Sequence, residues 1–310
     1  MKFHGMCNLA ASTHVIASLC LTVGSPFASP ATRPASQLAA KKKLLVLTHN
    51  AFYKHTSLEP AERAVAELAV QGGFDVVSLE GYKQPSDRID LSVVSASYLS
   101  QFDAVLMMTN GELPMTDEQK AALVDFVRNG KGFVGVHQTM VTFYTYPPFG
   151  EMLGAYFANG PIFDPTNKQK RTAVLKVENR RHPATRMLGA SWTLHDEIYQ
   201  FARKKWDPAM PKENVGPTGH PVPMAFSRDR VNVLLSVDSE KTDFTGLAGW
   251  ERGGDYPQAW YQQFGKGRSI YTSLGHRDDL WSQDQLFRAH ILGAIRWALG
   301  LENEGRNGLD

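Results

Sequence analysis

The stretch KGFVGVHQTMVTFYTYPPFGEMLGAYF, residues 131–157, decides the fold. Its apolar run with glycine at alternate positions predicts a fully buried strand over residues 133–136, which ends at His137. A segment rich in aromatic residues follows and closes with a short amphipathic helix, predicted over residues 149–157. A titratable residue at the carboxyl end of a buried parallel strand lies where open α/β folds bind their ligands.

Histidines follow two other predicted strands in the same way. The strand at 43–47 is followed by His49 and then His55, and the strand at 269–273 is followed by His276. Because the carboxyl ends of parallel strands meet at one edge of a sheet, we expect some of these side chains to lie near His137. The sequence therefore predicts a functional site at this edge.

From residue 43 onward, predicted strands alternate with predicted helices. Helices are predicted at 60–70, where Gly72-Gly73 ends the pattern, at 94–100, at 281–299, and after Thr116, whose capping-box partner is Gln119. Further strands are predicted at 74–79, 103–108, 173–177 and 231–237, with a hairpin formed by 258–264 and 269–273. This order predicts an α/β fold with a flavodoxin-like, doubly wound, mostly parallel sheet in one domain.

The composition is that of an ordinary globular protein. The chain has 310 residues, of which 43% are hydrophobic and 21% charged, and its formal net charge is +2. No cluster of basic residues extends beyond Lys41-Lys42-Lys43. The composition therefore predicts no nucleic-acid partner and no anionic-membrane partner, and it leaves a homo-oligomer open.

The N-terminal residues differ from the rest of the chain. Lys2 precedes an apolar run at 15–23, and small residues follow up to Ala31, a pattern typical of a secretory signal peptide, although a disordered tail is the alternative. The run is too short to span a bilayer. We therefore expect a signal peptide at 1–31, a linker at 32–42, an α/β domain at 43–300 and a tail at 301–310, in a periplasmic or secreted protein.

Several motifs in the predicted domain are long enough to be specific. They are GKGFVGVH (130–137), Phe143-Tyr144 with Pro147, GEMLGAYF (150–157), RHPAT (181–185), DEIY (196–199), VLLS (233–236), Ala259-Trp260, GKGRSIYTSLGHR (265–277) and Trp281. Together they resemble the ThuA-like, trehalose-utilisation family. The resemblance implies a fold similar to the class I glutamine amidotransferase superfamily and an association with trehalose and other glycosides, in part through keto-sugar intermediates. It implies no secure cofactor.

The chain departs from the families it resembles at two places. The family carries a His-Pro pair shortly after GAYF, where this chain has GPIFDP at 160–165, which weakens any transfer of ligand residues. Amidotransferases need a cysteine at the tight strand-to-helix turn, where this chain has His137. Both cysteines, Cys7 and Cys20, lie in the predicted leader, and no G-x-S-x-G elbow occurs, so acyl transfer by a nucleophile triad is excluded.

The candidate catalytic residues are His137, His276 and Glu197. Imidazole titrates near neutrality and serves as a general acid, a general base or a metal ligand. Side chains alternate along an extended segment, so only one carboxylate of the Asp196-Glu197 pair is expected to face a site. The resemblance favours Glu197 as the general acid, general base or ligand. Asp196 would then orient a neighbouring histidine or a turn. The alternative is that the histidines are buried residues bonded to backbone and the carboxylates are solvated.

A metal site is a further prediction. His55, His137, His276 and Glu197 would together hold zinc or another divalent ion. The sequence contains no H-x-x-x-H or H-x-H spacing, so this prediction depends on the convergence of strand ends.

Substrate-binding residues are predicted from sugar chemistry. Aromatic faces of Tyr144 and Trp260 would pack against the C–H side of a pyranose, while Gln138 and Arg277 would donate hydrogen bonds to its hydroxyl groups. The alternative for the aromatic residues is a place in the core, which is the commoner fate of such side chains.

Three kinds of function are compatible with these features. One is an exported enzyme that acts on a small-molecule carbohydrate, a keto-sugar or a glycoside derivative, by histidine and glutamate acid–base chemistry, with or without a metal. Another is a non-catalytic carbohydrate-binding or partner-docking module on an amidotransferase-like scaffold. A metal-dependent glycoside hydrolase is a third option.

Overall fold

The computed structural model describes residues 40–158 and 172–305. The predicted signal peptide, residues 32–39 of the predicted linker, the GPIFDP segment and the last five residues of the tail lie outside this range. Lys41–Asp310 forms one compact unit by itself.

The described residues form a sheet of nine strands. The strands are β1 (Lys43–Leu47), β2 (Asp75–Ser78), β3 (Ala104–Met107), β4 (Gly132–Val136), β5 (Ala173–Val177), β6 (Ser191–Leu194), β7 (Asn232–Val237), β8 (Pro257–Phe264) and β9 (Gly267–Thr272). Their order is β2-β1-β3-β4-β9-β8-β7-β5-β6. Strands β2, β1, β3, β4 and β9 pair in parallel, and the pairs from β9 through β6 are antiparallel.

Six α-helices connect and cover these strands in the described residues. They are α1 (Leu58–Gly72), α2 (Ala96–Leu99), α3 (Asp117–Arg128), α4 (Pro147–Leu153), α5 (Asp278–Gln283) and α6 (Gln285–Ala298). Helix α1 ends at Gly73, which adopts the left-handed conformation with φ 72° that glycine takes at low cost. Helix α3 begins with the capping box formed by Thr116 and Gln119.

The core lies on both faces of the parallel strands. In β1, Leu44 and Val46 belong to one buried cluster, while Leu45 and Leu47 belong to the other. The first cluster includes residues of α1 and α6, and the second includes residues of α3 and α4. Helices therefore cover the parallel strands on both sides, which explains why β3, β4 and the part of β1 after Lys43 are continuously apolar.

The predicted fold class is confirmed, with differences in detail. The sheet is more evenly divided between parallel and antiparallel pairs than the sequence suggested, and β6 was not predicted. The single helix predicted at 281–299 is two helices, because Asp284 caps α6 by accepting a hydrogen bond from the Phe287 N–H. The helix predicted at 149–157 spans Pro147–Leu153 and ends at Gly154, with φ 102°.

Of the helices described, none is long and apolar enough to cross a membrane.

Candidate functional site

Four side chains from four separate segments meet at the carboxyl edge of the parallel strands. His55 follows β1, His137 follows β4, His276 follows β9, and Glu197 follows the antiparallel strand β6. One ligand atom from each lies within 4.8 Å of the ligand atoms of the others. The structure therefore brings together every residue predicted for catalysis and metal binding.

The turn after β4 places His137 at the centre of this cluster. His137 has φ 46°, a left-handed conformation that costs free energy for a residue with a side chain, and it begins a 3-10 turn over His137–Val141. Tyr271 supports the turn because its hydroxyl donates to the His137 carbonyl oxygen over 2.8 Å. A strained residue at a strand end is common at functional sites.

The tautomer of His137 follows from one hydrogen bond. Its Nδ1 lies 2.7 Å from the carbonyl oxygen of Ser273, which can only accept, so Nδ1 carries a proton. In the neutral ring, Nε2 then has a free lone pair directed into the cluster. A histidine whose other nitrogen donates to a carbonyl is the usual arrangement for a metal ligand.

Several polar atoms crowd this lone pair. Nε2 of His137 lies 3.2 Å from Nδ1 of His276 and 3.3 Å from Oε2 of Glu197, and these last two atoms are 3.0 Å apart. The Tyr199 hydroxyl is a further 3.0 Å neighbour of Nε2. Three acceptor atoms so close together would repel one another, and either an Nδ1–H on a neutral His276 or a bound cation would relieve that repulsion.

These distances fit a divalent metal. Ligand bonds of about 2.0–2.1 Å to zinc place the corners of a tetrahedron about 3.3 Å apart, close to the three separations in this cluster. Two or three imidazoles with one carboxylate suit zinc and other first-row divalent ions. The residues that would hold such an ion are His55, His137, His276 and Glu197.

Burial and hydrogen bonding set the charge states of two members. Burial alone would raise the pKa of Glu197, but its close contacts with His137 and His276 outweigh the effect of burial and hold that pKa below its ordinary value. Burial, with His137 and His276 nearby, lowers the pKa of His55 to about 2, and its buried Nδ1 has no hydrogen-bond partner. The site therefore offers an ionised carboxylate and a neutral imidazole, which are the protonation states that bind metals.

Asp196 holds the turn that carries His276. Its fully buried carboxylate accepts hydrogen bonds from the backbone N–H groups of Gly275 (2.6 Å) and Arg277 (3.2 Å), on either side of His276. Gly275 has φ 115° at this turn, a conformation in which a side chain would be strained. Burial raises the pKa of Asp196 to about 6, although these bonds and the nearby histidines oppose the rise.

The cluster opens into a cavity of about 210 Å³. Aromatic and apolar side chains form much of its wall, and polar side chains from five segments complete it. The lining residues are Phe52, Tyr53, His55, Asn110, Gln138, Val141, Phe157, Glu197, Tyr199, Pro217 and His276.

The predicted substrate-binding residues divide into two groups. Gln138 lines the cavity, whereas Tyr144, Trp260 and Arg277 do not. Tyr144 stacks on Tyr156 in the core, and its hydroxyl donates to the Phe157 carbonyl oxygen. Trp260 is 1% exposed and its indole N–H donates to the Leu153 carbonyl oxygen. Both rings thus adopt the core position that was the alternative.

Arg277 and Gln138 were predicted to donate hydrogen bonds to sugar hydroxyl groups, but their donor groups are bonded within the protein. The Arg277 guanidinium pairs with both oxygens of Asp279 at 2.9 and 2.7 Å, in a different surface pocket. The Gln138 amide nitrogen contacts Asn50 Oδ1 and the Met108 carbonyl oxygen, so its donors are used within the protein. Its buried Oε1 has no partner and is the atom left to bind a ligand, as an acceptor.

Other cavity residues were not predicted. Tyr199 stacks on the His137 ring at 4.8 Å, and its place two residues after Glu197 would have indicated that both face the same side. Asn110 follows β3 at the sheet edge, so its position at a strand end was available as an indication. Phe52 and Tyr53 lie in the loop that carries His55, where no sequence pattern identified them.

The remaining strand-end and motif histidines lie outside the cluster. His49 is buried, and burial lowers its pKa to about 4. His182 packs against Tyr261 and Trp297, and His290 donates from Nδ1 to the Ala184 carbonyl oxygen. These three are structural residues in the part of the chain that the structure describes.

Comparison with known proteins agrees with this architecture. A ThuA-like protein of Bacteroides uniformis ATCC 8492 superposes with a TM-score of 0.57 at 23% identity, covering 86% of this chain and 95% of that chain. A ThuA-like protein of Parabacteroides merdae ATCC 43184 gives 0.59 at 18% identity, covering 86% and 92%. At these identities the similarity shows a shared fold.

The family match covers most of the sequence. No protein of curated function matches the chain significantly. The family described as ThuA, trehalose utilisation, matches residues 43–228 and 222–298. This chain therefore belongs to the ThuA family.

Proposed function

We propose that the protein is an enzyme that acts on a sugar, a keto-sugar or a glycoside derivative, with the cavity around His137 as its active site. The observation that carries the proposal is the convergence of His55, His137, Glu197 and His276 within 4.8 Å at the wall of a small cavity. A carbohydrate substrate is supported by the family's description, trehalose utilisation, and by the mixture of aromatic and polar lining residues.

A divalent metal is part of this proposal. The donor set and the 3.0–3.3 Å separations of His137, His276 and Glu197 support it. When bound, the ion supplies Lewis acidity, which polarises a keto or hydroxyl oxygen of the substrate. His55, with its low pKa and unpartnered Nδ1, completes the set without competing protonation at neutral pH.

The reaction class that suits these residues is proton abstraction next to a keto group. Glu197 is ionised at neutral pH, and its side chain is 12% exposed at the cavity wall, so it can accept a proton from the substrate carbon. The Glu197 carboxyl oxygen that does not bind the ion can accept this proton and then return it to the product, which leaves His276 as a metal ligand. Tyr199 positions His137 by stacking on its ring, with the two centroids 4.8 Å apart.

Metal-free acid–base catalysis is the second candidate. A specific observation favours it, because Nδ1 of His276 lies 3.0 Å from Glu197 Oε2 and 3.2 Å from His137 Nε2. One proton shared among these three atoms by hydrogen bonding would relieve their mutual repulsion without a cation. Retention of catalysis after complete removal of metal would favour this candidate.

Export is also proposed. The pattern at residues 1–31 supports a periplasmic or secreted location. Fractionation of cells that produce the full chain, with N-terminal sequencing of the mature form, tests it. A mature protein that keeps residue 1 and stays in the cytoplasm would contradict export.

The test of the proposed chemistry is exchange of solvent deuterium into keto-sugars. We expect the wild-type protein to exchange the proton on the carbon next to the keto group of a keto-glucoside, observed by NMR, and we expect Glu197→Gln to lose this exchange. His195→Ala, altered in a different surface pocket, serves as the control that keeps it. Sugar binding without exchange by the wild type would favour a non-catalytic binding module.

A further inference from the structure

Two exposed aromatic side chains lie at the rim of the cavity. Phe52 is 51% exposed and Tyr53 is 58% exposed, and both line the cavity. Within residues 40–158 and 172–305, they are the only aromatic side chains in the exposed class. Large aromatic surface in water is unfavourable, so its restriction to the rim of one cavity points to a ligand that covers it.

The loop that carries these rings is held in place. Asn110 Oδ1 accepts from the backbone N–H groups of Phe52 and Tyr53, both at 3.1 Å, and its Nδ2 donates to the Tyr53 carbonyl oxygen at 2.5 Å. The Tyr53 ring also packs edge-on against His55, with centroids 4.8 Å apart. Because the rings are presented by a fixed backbone beside a cluster residue, less ordering is needed when a ligand binds.

A second observation shows that the cavity itself is built for a polar ligand. Gln138 is 1% exposed and lines the cavity, and its Oε1 has no hydrogen-bond partner. The neighbouring acceptors Asn50 Oδ1 and the Met108 carbonyl oxygen fix the amide nitrogen on the other side. A buried acceptor without a partner is costly, and a ligand hydroxyl would satisfy it.

The size of the cavity limits how much of a sugar it encloses. Pockets for drug-sized ligands measure about 300–1,000 Å³. The cavity of about 210 Å³ is smaller, so it suits a single sugar ring. A second ring of the same molecule would then lie outside, where Phe52 and Tyr53 are exposed.

We propose that Phe52 and Tyr53 form an outer subsite, which binds the second ring of a glycoside whose first ring occupies the cavity and donates a hydroxyl hydrogen bond to Gln138 Oε1. This inference depends on the proposed carbohydrate function and adds to it the residues that distinguish two-ring from one-ring ligands. Aromatic faces pack against the C–H faces of the outer ring, while Gln138 serves the inner ring alone.

The test compares one-ring and two-ring probes by calorimetry with the full chain. The probes are trehalose and methyl α-glucoside, each also in a keto form. We expect the wild type to prefer the two-ring probes by about tenfold or more, the range expected for one or two aromatic contacts. Phe52→Ala and Tyr53→Ala should remove this preference, because they lower the affinity for the two-ring probes by a larger factor than the affinity for the one-ring probes.

Two further variants separate stacking from other effects. Tyr53→Phe keeps the ring and should keep the preference. Gln138→Met should weaken the one-ring and two-ring probes by the same factor, since it removes the inner-ring acceptor. Melting temperature and metal content are measured for each variant so that a folding defect is recognised.

Three outcomes would contradict the outer subsite. If the wild type binds two-ring probes with a preference that survives in the Phe52→Ala, Tyr53→Ala double variant, the outer subsite is wrong while the proposed function stands. The same holds if the wild type binds both classes equally well. If the wild type binds none of the four probes, the proposed carbohydrate function itself is contradicted, and the inference fails with it.

Discussion

The Nδ1–H of His137 donates to the carbonyl oxygen of Ser273 over 2.7 Å. Ser273 directly follows β9 and His137 directly follows β4, and these two strands are parallel neighbours in the sheet. The pairing of β4 with β9 therefore fixes the tautomer of the central histidine and directs its Nε2 toward His276 and Glu197. The pairing of two strands thereby determines which nitrogen of His137 is available for catalysis or metal binding.

Replacement of His137 should abolish metal binding. His137→Ala removes the central ligand atom, and we expect the affinity for zinc to fall by more than about a hundredfold, beyond the effect usual for residues that only support a ligand. Zinc titration with a competing chelator measures this. His195→Ala, in a different surface pocket, is the matched histidine control and should bind zinc as the wild type does.

Asp196→Asn should weaken metal binding without removing a ligand. The carboxylate accepts from the Gly275 and Arg277 N–H groups through its two oxygens, Oδ2 and Oδ1, and asparagine offers only one oxygen. One buried N–H then loses its partner, so we expect the free energy of unfolding to fall by about 1–3 kcal/mol. Because His276 lies between the two N–H groups, zinc affinity should also fall, by about tenfold to a hundredfold. Wild-type zinc affinity in a destabilised variant would contradict the positioning role.

Asn110→Ala should loosen the loop that carries Phe52, Tyr53 and His55. The substitution removes three hydrogen bonds to that loop, and we expect a loss of about 1–3 kcal/mol in the free energy of unfolding. Hydrogen exchange of the Phe52 and Tyr53 amides should accelerate, which mass spectrometry of the folded protein measures. Asn110→Asp keeps an acceptor for both amides and is the partial control. Unchanged exchange in the alanine variant would show that the loop is held by other contacts.

Acid should destabilise the protein through the buried His290. Burial lowers the pKa of His290 from 6.5 to about 4, despite the hydrogen bond to Ala184. Between these values the unfolded chain binds the proton and the folded chain does not, so stability is complete above pH 6.5 and falls as the pH drops toward 4. From pH 7 to pH 5 this group should cost about 2 kcal/mol.

The measurement for His290 is urea unfolding of the wild type and His290→Gln at both pH values. The variant is expected to be less stable at pH 7, but its decline on acidification should be smaller than that of the wild type. Equal declines in the two proteins would show that His290 contributes nothing to acid sensitivity.

The elements that the sequence predicted well are those with a local cause. Strands β1, β3 and β4 are apolar on both faces, and the Thr116 capping box and the Gly72-Gly73 stop are short-range patterns. Strand β6 was missed because only Trp192 and Leu194 are buried in it, a pattern too short to recognise. The break at Asp284 was missed because the apolar periodicity continues through it.

The candidate site was partly predictable for a geometric reason. Strand ends at one edge of a parallel sheet converge, so strand positions indicated His137 and His276, although they also indicated His49, which lies outside the cluster. Glu197 follows an antiparallel strand and was indicated by the resemblance, whereas His55 lies in a loop eight residues beyond β1, where strand position alone does not fix it. Which aromatic residues face a ligand depends on packing between distant segments. Tyr144 and Trp260 are therefore indistinguishable from Phe52 and Tyr53 in the sequence, although the first two are buried and the last two exposed.

The most direct test of the account is the metal content of the purified protein before and after chelation, measured by elemental analysis together with the melting temperature. We expect the purified protein to hold one divalent ion per chain, to melt at a lower temperature after chelation and to recover its melting temperature when zinc is added. A variant that combines His137→Ala with His276→Ala should show none of these effects. A wild-type protein that takes up no ion under zinc excess, and whose melting temperature ignores both chelator and zinc, would contradict the metal site.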